Sequence, residues 1–148
     1  MNVKATLSPD DLARACADAM WREDDASKGL GMKIVEVKPG QATLTMTVQP
    51  HMVNGQRIAH GGFIFLLADS TFAFACNSRN QATVAQACDI VFVAAARRGD
   101  LLVAEARERA LYGRNGICDV TVRRGDALIA EFRGRSRQIG GTILEEHS

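Results

Sequence analysis

The chain has 148 residues, 47% of them hydrophobic, a size that suits one compact domain and is too short for two separate cores. Eighteen basic against seventeen acidic side chains leave a formal charge of +1, so no global field draws the chain to nucleic acid or to an anionic membrane surface. An anionic ligand must therefore be held by a local patch.

In chain order, Ser8-Pro9-Asp10-Asp11 reads as a helix start, with Ser8 as the cap, Pro9 at the first helical position and Asp11 three residues on. That helix is expected over about 9–21. After a charged, small-residue stretch, residues 32–37 and 42–48 read as two strands joined by Lys38-Pro39-Gly40-Gln41. Pro-Gly is a turn signal, and Leu44, Met46 and Val48 alternate with Thr43, Thr45 and Thr47. A polar loop over 51–59, carrying Asn54-Gly55, leads into an apolar segment that opens at His60-Gly61-Gly62. Beyond it the period changes to that of strands, over 82–94, 101–111, 116–123 and 127–139. The breaks Arg98-Gly99-Asp100, Gly113-Arg114-Asn115 and Arg124-Gly125-Asp126 have hairpin turn chemistry. The order of helix, two strands, long helix and strand meander predicts an α+β layout with a sheet on one side of the helix, a single domain over 1–148, and a frayed tail over 142–148.

The four cysteines, Cys16, Cys76, Cys88 and Cys118, form no C-x-x-C pair and no zinc-finger spacing with histidine, so no metal site is expected. The first eleven residues lack a basic segment followed by an apolar run, which leads us to expect no secretory signal, reduced thiols and a cytoplasmic protein. The apolar stretch 61–76 spans ~24 Å as a helix, against roughly 30 Å for a bilayer core, and it contains Asp69, Ser70 and Thr71. A buried core helix is the better reading.

Asp69 is the only charged side chain between positions 61 and 78, and Phe63, Ile64, Phe65, Leu66, Leu67, Phe72 and Phe74 surround it. A carboxylate buried there without a partner is costly and has its pKa raised. Either it pairs with an arginine from the sheet or caps a neighbouring element, or it serves as a general base or nucleophile in a cleft wall. His60-Gly61-Gly62 opens the same helix. Glycines at that point let a ligand oxygen approach amides that have no intrahelical partner and that stand at the positive end of the helix dipole, as an oxyanion requires. A plain loop-to-helix glycine pair would look the same. Gly61 and Asp69 are eight residues apart, ~12 Å along one helix, whereas reacting atoms must meet at about 3–3.5 Å. Two antiparallel copies, Gly61 or Gly62 of one facing Asp69 of the other, would satisfy both, which argues for a two-fold dimer with composite sites.

With these residues in hand, the chain resembles the hotdog-fold thioesterases and most closely the PaaI family of the phenylacetate pathway. The resemblance spans roughly 31–141 and rests on Asn54-Gly55, His60-Gly61-Gly62, Leu67-Ala68-Asp69, Phe74-Ala75-Cys76-Asn77-Ser78 and the run from Phe132 through Arg133-Gly134-Arg135 to Gly140-Gly141. It implies a long central helix wrapped by an antiparallel sheet of five to six strands, dimers that pair sheets edge to edge, and commonly a dimer of dimers, a homotetramer. The implied activity is hydrolysis of acyl-CoA thioesters, typically aryl-acetyl or hydroxyphenylacetyl ones, without metal or any cofactor besides the CoA of the substrate. By position, Asp69 would be nucleophile or general base, Gly61 and perhaps Gly62 the oxyanion donor, Asn54 a group orienting water or the carbonyl, and His60 a positioning residue. Alternatively, His60 only makes a structural hydrogen bond at the helix start. Ser70 and Thr71 adjoin the carboxylate as tuning groups. The chain departs from the family at Ala94-Ala95-Ala96-Arg97-Arg98, where a proline is common, and at Ala85 or Gln86, where a serine or threonine is common.

CoA phosphates need arginine or lysine. Arg97-Arg98 at a turn, and Arg133, Arg135 and Arg137 at period two on the last strand, are the candidates, with a solvated strand face as the bland reading. Two rival functions remain open: a hydratase or dehydratase of 2-enoyl thioesters on the same fold, and a non-catalytic acyl-CoA binding module.

Overall fold

The computed structural model describes residues 7–145. Helix α1 (Pro9–Glu23) and a short α2 (Asp25–Gly29) precede β1 (Lys33–Lys38) and β2 (Gln41–Thr47). A 3-10 turn at Pro50–Met52 leads to the long helix α3 (Gly61–Cys76), followed by β3 (Thr83–Phe92), β4 (Leu101–Tyr112), β5 (Asn115–Arg124) and β6 (Ala127–Gln138). All six strands join one antiparallel sheet in the order β1-β2-β4-β5-β6-β3. The α+β expectation holds, with six strands.

Helix α1 starts as its sequence dictates, Ser8 Oγ accepting the Asp11 amide at 3.1 Å with proline in the first turn, and it runs two residues past the expected end. Helix α2 went unforeseen in the charged stretch. The Asp24 carboxylate nucleates it, taking the Ser27 amide at 2.9 Å and the Ser27 hydroxyl at 2.7 Å. The Pro-Gly turn between β1 and β2 is bolted to the far end of α3. Gly40 sits at φ +70°, donates its amide to Ser78 Oγ at 2.8 Å, and accepts the Glu108 amide at 2.8 Å. A Cβ there would lie 2.8 Å from both the Glu108 carboxylate and the Arg79 guanidinium, which pair with each other.

The sheet curls around α3. Leu44 and Met46 of β2, Leu102 and Ala104 of β4, Val120 and Val122 of β5 and Phe132 of β6 are buried against Ile64, Leu67, Phe72 and Phe74. Gly134 on β6 permits the closest approach, since a Cβ at that position would stand 2.6 Å from Cδ2 of Phe72. The Phe72 ring then packs on Phe132 with centroids 5.8 Å apart.

Two features point outward. Along α3, Gly62, Leu66, Asp69, Ser70 and Ala73 recur at three- and four-residue spacing and remain partly or fully exposed, while Ile64, Leu67, Ala68, Thr71, Phe72 and Ala75 are buried. This stripe is the helix surface that the chain's own sheet leaves uncovered. Strand β3 ends the sheet with one edge unpaired, and its Val84, Val91 and Phe92 are 45%, 61% and 51% exposed.

The tail differs from expectation. The buried Asn80, at φ +64°, accepts the amides of Ile143 and Leu144 on its Oδ1 at 3.0 and 2.8 Å, which ties residues 142–145 to the end of α3. Residues 146–148, the rest of the expected frayed segment, lie outside the described residues. Among the described residues, no helix is long and apolar enough to cross a membrane.

Candidate active site

The loop before α3 is a tight antiparallel hairpin. Val53 bridges Ala59, the Asn54 amide donates to Ile58 O at 2.9 Å, and the Arg57 amide donates to Asn54 O at 2.9 Å. Inside it, Asn54 Oδ1 accepts the amides of Gln56 at 2.9 Å and Ile58 at 3.4 Å. Both hydrogen bonds engage the carboxamide oxygen, leaving Asn54 Nδ2 as a donor that no described group accepts.

His60 caps α3. Its Nδ1 accepts the Gly62 amide at 2.9 Å, and its own amide donates to Met52 O at 2.7 Å. Of the two expected oxyanion donors, Gly62 is thus already engaged. Gly61 presents the amide that no described acceptor takes, at the positive end of a sixteen-residue helix.

One cavity of about 450 Å³ lies on the polar outer face of the sheet, away from these groups. The cavity that matters here, about 410 Å³, lies between the hairpin and the segment after β3, lined by Asn54, Ile58, Gly61 and Ile64 on one side and by Phe92 and residues 93–96 on the other. The Ala59 amide donates to Ala96 O at 2.7 Å and clamps the two walls together, so the local turn forms without proline. Phe92 rests directly over Gly61, where a Cβ would stand 2.8 Å from its ring.

Asp69 does not line this cavity. It sits on the uncovered stripe of α3, half-buried, and among the described residues no ion pair or hydrogen bond engages it. The internal ion pair weighed from sequence is absent among those residues. Burial raises the Asp69 carboxyl above its ordinary value. Next to it on β3 lies Cys88, whose thiol is pushed up by burial first and by the Asp69 charge second. Sequence reading missed Cys88, since nothing in a strand reveals which helix residue it will oppose.

The remaining expected site residues divide. Ser70 lies on the exposed stripe, but its hydroxyl pairs with Ser27 of α2 at 2.8 Å. Thr71 is buried and donates to Leu67 O at 2.7 Å within the helix, so it faces the core. Gln86 is the extra residue of a bulge in β3, between Ala85 and Ala87, and is exposed on the edge strand. Arg97 and Arg98 are exposed in the turn directly after the cavity wall. Arg133, Arg135 and Arg137 do share one face, but it is the outer face, because the intervening Phe132, Gly134 and Ser136 are buried toward α3. There Arg133 makes a two-point pair with Asp119 at 2.7 and 2.9 Å, and Arg135 approaches Asp89 at 3.6 Å. Among the described residues no three His, Cys, Asp or Glu side chains gather to hold a metal ion.

A long helix wrapped by a six-stranded antiparallel sheet defines the hotdog class of α+β proteins. Residues 56–130 match the family model described as the thioesterase superfamily. The chain is similar to the acyl-coenzyme A thioesterase PaaI of Escherichia coli K12, with 44% identity over 131 residues that cover 88% of this chain and 94% of that protein. The solved structure of E. coli PaaI, from the phenylacetic acid degradation operon, superposes with a TM-score of 0.89 at 41% identity, covering 91% of this chain and 99% of that one. A mutant of the phenylacetic acid degradation protein PaaI of Thermus thermophilus matches with a TM-score of 0.74 at 32% identity, covering 76% and 97%. The chain belongs to the thioesterase superfamily, within its PaaI family of hotdog enzymes.

Proposed function

We propose that this protein hydrolyses acyl-CoA thioesters, of aryl-acetyl or hydroxyphenylacetyl type, to the free acid and CoA. The observation that carries the reading is Asp69: a half-buried carboxylate without a partner among the described residues, on the one stripe of α3 that its own sheet leaves open. The aryl preference draws support from the phenylacetic acid degradation named for the relatives and from Phe63 and Phe65, which are only partly buried on α3.

In the proposed chemistry, the thioester oxygen accepts hydrogen bonds from Gly61 N–H and Asn54 Nδ2, which stabilise the negative charge that develops on it. Asp69 either takes a proton from water that attacks the carbonyl carbon, or attacks it directly to form an anhydride that water then hydrolyses to the free acid and the restored carboxylate. In both routes the carbon–sulfur bond breaks as CoA leaves with the electron pair and takes up a proton. No metal or cofactor besides the CoA of the substrate enters this scheme. Because Asp69 is absent from the cavity that holds Asn54 and Gly61, we propose that it comes from a second copy. The unpaired β3 edge and the exposed α3 stripe suit an antiparallel two-fold dimer, and a dimer of dimers in the cytoplasm is the assembly proposed. A hydratase would need a histidine beside the acid. His60, the candidate, commits its Nδ1 to the Gly62 amide and so spends that nitrogen on the helix start.

Thiol release from a panel of acyl-CoAs, followed with a thiol reagent, tests the activity. Phenylacetyl and hydroxyphenylacetyl thioesters are expected to have the highest kcat/KM, and turnover of straight-chain substrates alone would refute the aryl preference. The composite site has its own test, in mixed dimers of two inactive parents, Asp69→Asn and Asn54→Ala. Random exchange makes half the dimers mixed, each with one intact site, so activity should return to about a quarter of the parent's. A mixture that stays inactive after exchange has been verified would mean that each site draws on one chain.

A further inference from the structure

Three arginines on the two loops that supply the cavity walls have no carboxylate within ion-pair distance among the described residues: Arg57 in the hairpin, and Arg97 and Arg98 in the facing turn. The nearby Asp100 is already satisfied by the Arg97 amide at 2.8 Å and by Arg124 at 3.1 Å. The Ala59–Ala96 hydrogen bond brings the two loops side by side, with Arg57 two residues before one partner and Arg97 and Arg98 just after the other. Three guanidinium-bearing positions without an ion pair among the described residues thus sit on two adjoining loops in a chain of net charge +1, Arg97 alone acting on Asp100 at longer range.

Arg57 stands out further. Its backbone is at φ +63°, in the left-handed region that side-chain-bearing residues other than asparagine and aspartate seldom occupy. It is exposed, and no described group uses its guanidinium. Glycine would suit this backbone better, so the fold does not explain an arginine here. Such strained positions cluster where a ligand is clamped.

We infer that Arg57, together with Arg97 and Arg98, receives the phosphates of the CoA portion of the substrate. The inference rests on the acyl-CoA reading of the site and assigns its phosphate contact to this rim. Arg135 and Arg137 lie on the outer face of the sheet, with α3 and Asp69 on the other. Guanidinium forks bind phosphate oxygens at two points, and three of them around one mouth would hold the leaving group while the acyl end enters toward Gly61.

The test compares CoA with thiols that lack its phosphates together with the adenosine. Calorimetry with CoA and with pantetheine, on the parent and on Arg57→Gly and Arg57→Gln, reads binding without turnover, and kinetics use one acyl group on CoA and on N-acetylcysteamine. Both variants should bind CoA about tenfold more weakly, the loss of one charge-assisted contact, and pantetheine equally well. KM should rise for the CoA thioester alone, with kcat unchanged. Arg57→Gly should melt no lower than the parent, because glycine relieves the left-handed backbone. Unchanged CoA affinity in both variants, or equal losses for CoA and pantetheine, would overturn the assignment. CoA binding that both variants weaken, in a parent that releases no thiol, would instead sink hydrolysis while upholding Arg57.

Discussion

Asp69→Asn is expected to lower kcat by about 10²–10⁴-fold, the usual range for loss of a general base, with CoA affinity nearly unchanged. The substitution keeps the shape and removes the charge. It should also stabilise the fold near neutral pH. Burial raises the Asp69 carboxyl above its unfolded value, so between the two values the native state holds the proton more tightly than the unfolded chain does. Stability from this group is fully present below the unfolded value and is lost as pH rises through the folded one. The asparagine variant escapes that loss. Its melting temperature should exceed the parent's at pH 7, with the gap closing in acid, and a variant that melts lower at pH 7 would contradict an unpartnered carboxylate.

The same titration shapes the rate. Only the carboxylate can attack or take a proton, so kcat/KM should fall on the acid side with a midpoint above the ordinary aspartate value. A single turnover in oxygen-18 water separates the two chemical routes. Label found first in the Asp69 carboxylate identifies it as the nucleophile.

The largest loss of stability is expected at Gly134. Adding only a methyl group there, in Gly134→Ala, forces the Phe72 ring out of a position 2.6 Å from the new carbon. The ring has no free direction, because Phe72 is 1% exposed and packs on Phe132. Overpacking of this kind costs about 1–3 kcal/mol, a fall of about 2–12 °C in Tm for a domain of this size. Alanine's better strand behaviour relative to glycine offsets a little of it. Phe72→Leu should cost less in the Gly134→Ala background than in the parent, and strict additivity in that double-mutant cycle would show that the two sites do not touch. Phe72 is three residues from Asp69 on α3, so thermal melts should be read beside kcat.

Parts of the molecule were legible because local chemistry determines them. Ser8-Pro9 starts a helix wherever it meets an amphipathic run, and Pro39-Gly40 turns a chain that strands flank on both sides. The candidate acid was legible by contrast, the one charge in a mostly apolar helix of sixteen residues. Helix α2 was not, since it depends on the single Asp24 side chain closing on Ser27. The anchoring of Ile143 and Leu144 was not legible either, because their partner, Asn80, lies more than sixty residues away in sequence.

By itself, the sequence determined the kind of elements, their order and the residues able to do chemistry, because periodicity, capping and the cost of a lone buried charge act within a few residues. Only the tertiary structure decided which way those residues face. The period-two arginines of β6 could have lined either side of the sheet, and the packing of Phe132 and Gly134 against α3 sent them outward. Thr71 went to the core and Asp69 to the open stripe because the sheet covers one side of the helix, a choice made by contacts between residues far apart in the chain.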